Sequence, residues 1–500
     1  MMRSLFSGVA GMKSHQTKMD VIGNNIANTN TAGFKSSSVN FMDTYYQTIS
    51  SATGANANNG TAGTNAKQIG LGSMVASITT NITGQGGPST TNRALDVAIN
   101  GEAFMVVRSG SSNYFTKSGA LNVDEAGSLY CTTNGATVQG WMADKDGNII
   151  KDTVKDLKVM TAETMNFPPE ATRAVTLNGN IDPNDADLTD AGEVMTFGFY
   201  DNLGQPFTAK FCIKKDTEDV GEGEVKYKVQ LLDVLDPNSK SIFVKKDEDG
   251  KFVATEASVK FGAVEYTGPE VNETTGDLTW PEDVGTEPLI FGNSNGEFKK
   301  AGSEDRSLGA LKDKAISFSI TKDQNGKEGT NTTFPQVDGD TGTGAVEVYF
   351  DSLTQFSKGG SSKLSYKRGD AKGLDAGYKA GKLSGISIDE KTGKVIGNYD
   401  NGLTRPLAQI AFTTFANPSG LEAAGNSLFA ATLNSGEFDG VGEEITTSGG
   451  SLTVGALEMS NVDLANEFTQ MITTQRGFQA NSRIITTSDS MLEELVNLKR

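Results

Sequence analysis

Histidine occurs once in these 500 residues, as His15, and cysteine twice, as Cys131 and Cys212. That inventory holds no CxxC pair, no zinc-ligand spacing and no disulfide framework beyond a single bridge. The plain reading of the two cysteines is small buried hydrophobes, and the sharper one is a covalent crosslink between subunits. A Ser–His–Asp triad has no parts, since no GxSxG is present and His15 falls among polar neighbours, where a solvated ring is the simpler reading. No apolar run approaches the roughly 18 residues that a membrane span needs. The opening MMRSLFSGVAGMKSH lacks a continuous apolar stretch and a small-residue cleavage site, so it does not read as a cleaved secretory signal. Basic residues are outnumbered 44 to 62, and a net charge of −18 argues against a nucleic-acid partner.

What is present is glycine, at 58 residues, with much Ser, Thr and Asn and only 12 prolines. That mixture suits short strands joined by tight turns. Segments such as GLGSMVASITTNIT, ALDVAINGEAFMVVRSG, EVMTFGFYDN and VKYKVQLLDVL alternate apolar and polar residues between Gly, Asp or Asn turns. DKDGN at 144–148 could suggest a calcium loop, but the sixth position holds Ile149 where glycine is needed, so a hairpin turn is predicted. IGLGSMV is not a GxGxxG and no helix follows it, which removes a phosphate cradle. Neither cofactor nor metal is expected, and with one histidine an enzyme has little to build on.

Both ends carry an apolar residue every seven positions. Leu5, Met12, Met19 and Ile26 do so at the start, and Leu457, Leu464, Met471, Phe478, Ile485 and Leu492 at the end. Seven residues is almost two helical turns, so each series draws one seam along a helix. The positions four residues on are mixed, with Val9, Gln16, Gly23 and Asn30 in the first helix and Asn461, Phe468, Gln475, Ser482, Asp489 and Val496 in the second. So thin a seam cannot hold a lone helix in water. An antiparallel coiled coil within one chain, or a simple dimer, is the ordinary explanation. The polar companions, and the glycines at 8, 11 and 23, point instead to helices with several neighbours that fold upon assembly.

The layout predicted is nested and mainly β with terminal α-helices. Residues 1–28 and 457–500 form a helical coiled-coil inner domain, with the chain turning helical from Ser451 onward, and 29–70 a connector, either ordered but irregular or disordered. Residues 71–160 and 361–456 form one inner β-domain in two discontinuous halves, and 161–360 an inserted outer β-region, possibly of two subdomains, beginning near Pro168 and Pro169. The acidic excess concentrates there, with 21 acidic and 12 basic side chains between 214 and 306, as in a solvated outer surface.

The segment GNNIANTNTAGFK, with Asn24, Asn25, Ala27, Asn28, Gly33, Phe34 and Lys35, resembles the signature of bacterial flagellar axial proteins, the rod and hook subunits. NRALDVAINGEAFMVVRSG, GYKAGKLSGISIDEKTGKVIGNYDNG and VDLANEFTQMITTQRGFQANSRIITTSDSMLEELVNL are similar to further parts of that family. Ala32, Ala103 and Met105 depart from its usual residues. Length and the SGISIDEKTG segment favour the hook branch over a distal rod subunit. The resemblance implies an extracellular structural subunit that assembles with itself into a curved helical tube, a universal joint carrying torque in motility. It implies type III export without a cleaved signal, and terminal helices packed around a central channel, with the Leu457–Leu492 seam meeting the Leu5–Ile26 seam. The implied partners are a distal rod protein, a hook cap protein, a hook–filament junction protein, a hook-length ruler and the export apparatus, with neither nucleic acid nor membrane. Without the resemblance, a secreted β-rich adhesin with coiled-coil ends is the competing class.

Overall fold

A computed structural model describes residues 2–54, 60, 62–145, 147–189, 192–216, 223–281, 284–292, 295–302, 314–322 and 345–498. The chain divides into two compact units, Met1–Met165 with Leu383–Arg500, and Asn166–Lys382.

The first unit has a helix at each end of the chain, α1 (Met2–Ala27) and α2 (Leu464–Asn497). Between them its sheet runs Lys394–Tyr399, Thr404–Ile410, Thr137–Met142, Phe104–Ser109, Ser112–Thr116, Leu428–Ala430 and Glu422–Gly425. The two sequence halves join where Trp141 lies opposite Gln409 in an antiparallel pair. Gly140 is needed at that join, because a Cβ there would sit 2.1 Å from the Gln409 carbonyl oxygen. Successive strand residues point to opposite faces. Met105 and Val107 therefore fill one core with Leu129, Val138 and Ile410. Phe104 and Val106 fill another with Phe115, Trp141, Phe415 and Phe429. Both faces are covered, so FMVV reads as an unbroken apolar run.

Residues 29–70, expected to be irregular, contain regular structure instead. Ser37–Asp43 pairs with Ser73–Thr80, and Tyr46–Ser50 pairs with Lys67–Gly70, which makes a two-stranded ribbon. Its Ser and Thr pair across the strands, as in Ser37–Thr80 at 3.1 Å and Ser38–Thr79 at 3.0 Å, bonds that composition alone does not display.

The second unit holds a six-stranded and a five-stranded sheet. In the first, Ala174–Asn180 lies parallel to Val346–Thr354 and antiparallel to Lys363–Arg368. The outer region therefore extends to Lys382, past the boundary expected near 360, because residues 363–368 complete its sheet. Its core is aromatic: Phe197 stacks on Phe211 at 5.3 Å, and Phe318 meets both edge-on. Such pairs add about 0.5–1.5 kcal/mol each beyond area burial.

Both units turn their hairpins with one device. The Asp124, Asp201, Asp247 and Asp370 carboxylates each accept the N–H four residues on. The third residue after each is a glycine at positive φ, between 75° and 83°. DKDGN is such a turn: Asn148 N–H donates to Asp144, and Gly147 has φ 80°. Asp146 lies outside the described residues. Both cysteines are buried, Cys131 in the first unit and Cys212 in the second, where burial pushes the Cys212 thiol up.

Candidate assembly interface

The two terminal helices pack antiparallel on each other through small and polar residues. Ser4 Oγ lies 3.3 Å from Ser488 Oγ, and Asn25 Nδ2 donates to Glu467 Oε1 at 3.1 Å. Between these ends the backbones approach closely at three glycines. A Cβ on Gly8 would lie 3.1 Å from Ile485 Cγ1, one on Gly11 2.7 Å from Asn481 Nδ2, and one on Gly477 2.7 Å from His15. Residues 4, 8, 11, 15 and 25 of α1 thus face residues 467, 477, 481, 485 and 488 of α2, and Ile22 and Thr474 are buried.

This contact corrects the phase of the companion positions. On α2 the second row lies three residues after each seam member, at Glu467, Thr474, Asn481 and Ser488, rather than four. On α1 the facing residues neighbour the seam, so Leu5, Met12, Met19 and Ile26 are half-buried at its flank. Met471, Phe478, Ile485 and Leu492 are half-buried beside the polar row, and Leu464 is exposed in the first turn. Leu457 is not helical. It sits in strand Ala456–Glu458 against Pro88–Thr90, and α2 begins only after Asp463, whose carboxylate caps the Ala465 and Asn466 N–H groups. The earlier start at 457, and the helical turn expected from Ser451, fail for that reason.

His15 is not solvated as its neighbours suggested. Its ring lies against Gly477 and meets Phe41 edge-on at 5.7 Å, and burial, then the nearby Lys18 charge, lowers its pKa.

The family segment anchors α1 to the far end of the chain. Asn25 is fully buried and, besides Glu467, donates to the Ser37 carbonyl and accepts from the Ser37 N–H. Asn28 Nδ2 reaches back to Asn24 across the last turn, with Ala27 exposed beside it. Gly33 takes φ 71°, and its N–H donates to the Glu458 carbonyl at 2.8 Å. Asn461 N–H donates to the Phe34 carbonyl. Lys35 Nζ donates to Glu458 Oε1 at 2.7 Å and to the Gly84 carbonyl at 2.8 Å. Nearby, Lys117 is buried over the Phe104 ring, and burial, then the Lys35 charge, lowers its pKa to about 8. Sequence reasoning missed Glu458 and Glu467; Asn461 entered it only as a polar companion of the seam.

The helix pair leaves large apolar side chains outside its own contact. Phe6 and Val9 on α1, and Phe468, Ile472, Met491 and Leu495 on α2, are exposed. No described helix is long and apolar enough to cross a membrane.

The family described as Flagella basal body rod protein matches residues 5–35, and the Flagellar basal body rod FlgEFG protein C-terminal family matches 453–498. The chain is 33% identical to the flagellar hook protein FlgE of Borreliella burgdorferi, with all of both chains covered. It is 35% identical to that of Treponema pallidum, again over the whole of both. The flagellar basal-body rod protein FlgG of Bacillus subtilis also aligns over its entire length, at 27% identity. The higher identities lie with the hook proteins. The chain belongs to the flagellar hook protein family.

Proposed function

We propose that the chain is the structural subunit of a flagellar hook and that it polymerises by covering the apolar faces its helix pair leaves open. The observation that carries this is the division of labour on α1 and α2. Glycines and polar groups join the helices to each other, while Phe6, Phe468, Ile472 and Leu495 face water. Large apolar side chains left in water on a helix pair mark an association site, and neighbouring copies supply matching faces in a helical array. The half-buried seam members Leu5, Met12, Met19, Ile26, Met471, Phe478, Ile485 and Leu492 flank those faces and contribute to the same contacts.

The remaining partners follow from that role: a distal rod protein below, a cap and a junction protein above, a length ruler, and type III export of the unfolded chain to the extracellular tip. The ribbon and the boundaries near 165 and 382 serve as links between segments that slide while the helical core stays joined. Electron microscopy of the purified, concentrated protein tests the reading. Short curved tubes are expected, and a protein that stays monomeric at every concentration and salt condition overturns it.

A further inference from the structure

The chain's one histidine stands where α1, α2 and the ribbon meet. On the α2 side the ring lies against Gly477, where a Cβ would come within 2.7 Å of both its Cε1 and its Nε2. On the ribbon side Phe41 meets it edge-on at 5.7 Å. The register of that strand slips between Asn40 and Phe41, the kind of irregularity that re-aims a side chain. One residue away, Ser14 Oγ donates to the Ser73 carbonyl at 3.2 Å, so α1 is bonded to the ribbon at the same level. His15 Nδ1 is buried and has no hydrogen-bond partner among the described residues. A neutral ring suits this place, being flat enough to lie on a glycine and against a phenyl group. In the protonated ring both nitrogens are donors. A proton at the buried nitrogen would find no acceptor there, and its charge would be taken out of water.

The charged groups on the three elements do not offset that charge. On α1 the neighbour is Lys18, itself cationic, with its Nζ 5.8 Å from the centre of the Phe41 ring. On α2, Arg476 is exposed and bonds Gln479 Oε1 at 3.4 Å. On the ribbon, Asp43 is exposed and bonded to Tyr46. Burial, and then Lys18, hold the ring below its usual 6.5. We propose that His15 is a pH switch on the pairing of the terminal helices: neutral, it lets α1 close on α2 and the ribbon, and protonated, it drives them apart. The sign follows from which state binds the proton more readily. With α1 released, the imidazolium is solvated, so the released state takes the proton first. Pairing is therefore undiminished above about pH 6.5 and weakens as the pH falls through that value. Polymerisation by the paired helices follows the same pH, a consequence that rests on the assembly reading above.

The test uses the full-length chain. Carbon-13 labelling of histidine gives one ring Cε1–Hε1 signal, because there is one histidine. Its midpoint is expected below 6.5 in the folded protein and at about 6.5 in urea. The only α-helices among the described residues are α1 and α2, so circular dichroism at 222 nm reads the pair. The helical signal is expected to fall between pH 7 and pH 5 in the unaltered chain and to stay level in His15→Gln, whose amide takes no proton. The concentration needed for tube assembly is expected to rise at least about threefold over that interval, since each unit of pKa depression is tenfold in the equilibrium. In His15→Gln it should hold steady. A ring midpoint at or above 6.5, or the same pH response in both proteins, overturns the switch and leaves the hook reading standing. Absence of tubes from the unaltered chain overturns the hook reading, and the ring midpoint and the dichroism still decide the switch.

Discussion

Lys35 and Glu458 are separated by 423 positions in the sequence, yet Lys35 Nζ lies 2.7 Å from Glu458 Oε1, with both side chains buried. Gly86 N–H donates to the same oxygen at 2.9 Å. The pair ties the segment after α1 to the strand before α2, at the point where both helices leave the β-structure.

Breaking this pair from one side leaves a buried, uncompensated charge, which costs about 3–5 kcal/mol, whereas replacing both partners is often close to neutral. Lys35→Met is therefore expected to destabilise the protein strongly, and Lys35→Met with Glu458→Met to recover most of the loss. Urea denaturation of the two single variants and the double variant checks this; strictly additive losses would show that the residues do not act as a pair.

The helix glycines divide by what surrounds them. A side chain on Gly8 meets Ile485 and the Asn481 carbonyl, whereas nothing lies within 4 Å of a Cβ on Gly23. Gly8→Val is expected to push the helices apart and lower helical circular dichroism. Gly23→Ala is expected to stabilise by roughly 0.5–1 kcal/mol through helix propensity. Opposite signs in thermal melts are the outcome to look for.

Two charge insertions on α2 separate folding from assembly. Phe468→Glu alters an exposed face, so the melting temperature holds while tubes fail to form. Met471→Glu lies half-buried beside the polar row, so it is expected to reduce both helix content and assembly. Sedimentation combined with circular dichroism reads both; normal tubes from Phe468→Glu would remove that face from the assembly contact.

Lys117 gives a pH signature. Its pKa falls from 10.5 to about 8 on folding, so between those values the unfolded chain binds the extra proton. Stability is expected to rise with pH across that window, by at most about 3 kcal/mol, with the penalty fully present below pH 8. Lys117→Met should flatten the rise. Chemical denaturation between pH 7 and 10 provides the check, and parallel curves for the two proteins would assign the trend elsewhere.

The sequence by itself determined the class of structure at both ends and in the middle. Seven-residue spacing marked two helices, alternation marked the strands, and the DKDGN segment marked the hairpin at 144–148, because each depends on neighbours within a few residues. The candidate interface was legible only in outline. Its seam series lies within α2 from Leu464 onward, but Leu457 belongs to a strand, since pairing with Pro88–Thr90 outweighs a matching period. Tertiary structure alone decided the face used between the helices. Glycines 8, 11 and 477 let the backbones approach until Ser4 meets Ser488 and Asn25 meets Glu467. A close, polar contact of that kind carries no hydrophobic period. The Lys35–Glu458 bond and the join of Trp141 to Gln409 were equally hidden, because both require residues hundreds of positions apart to be brought together by the folding of everything between them.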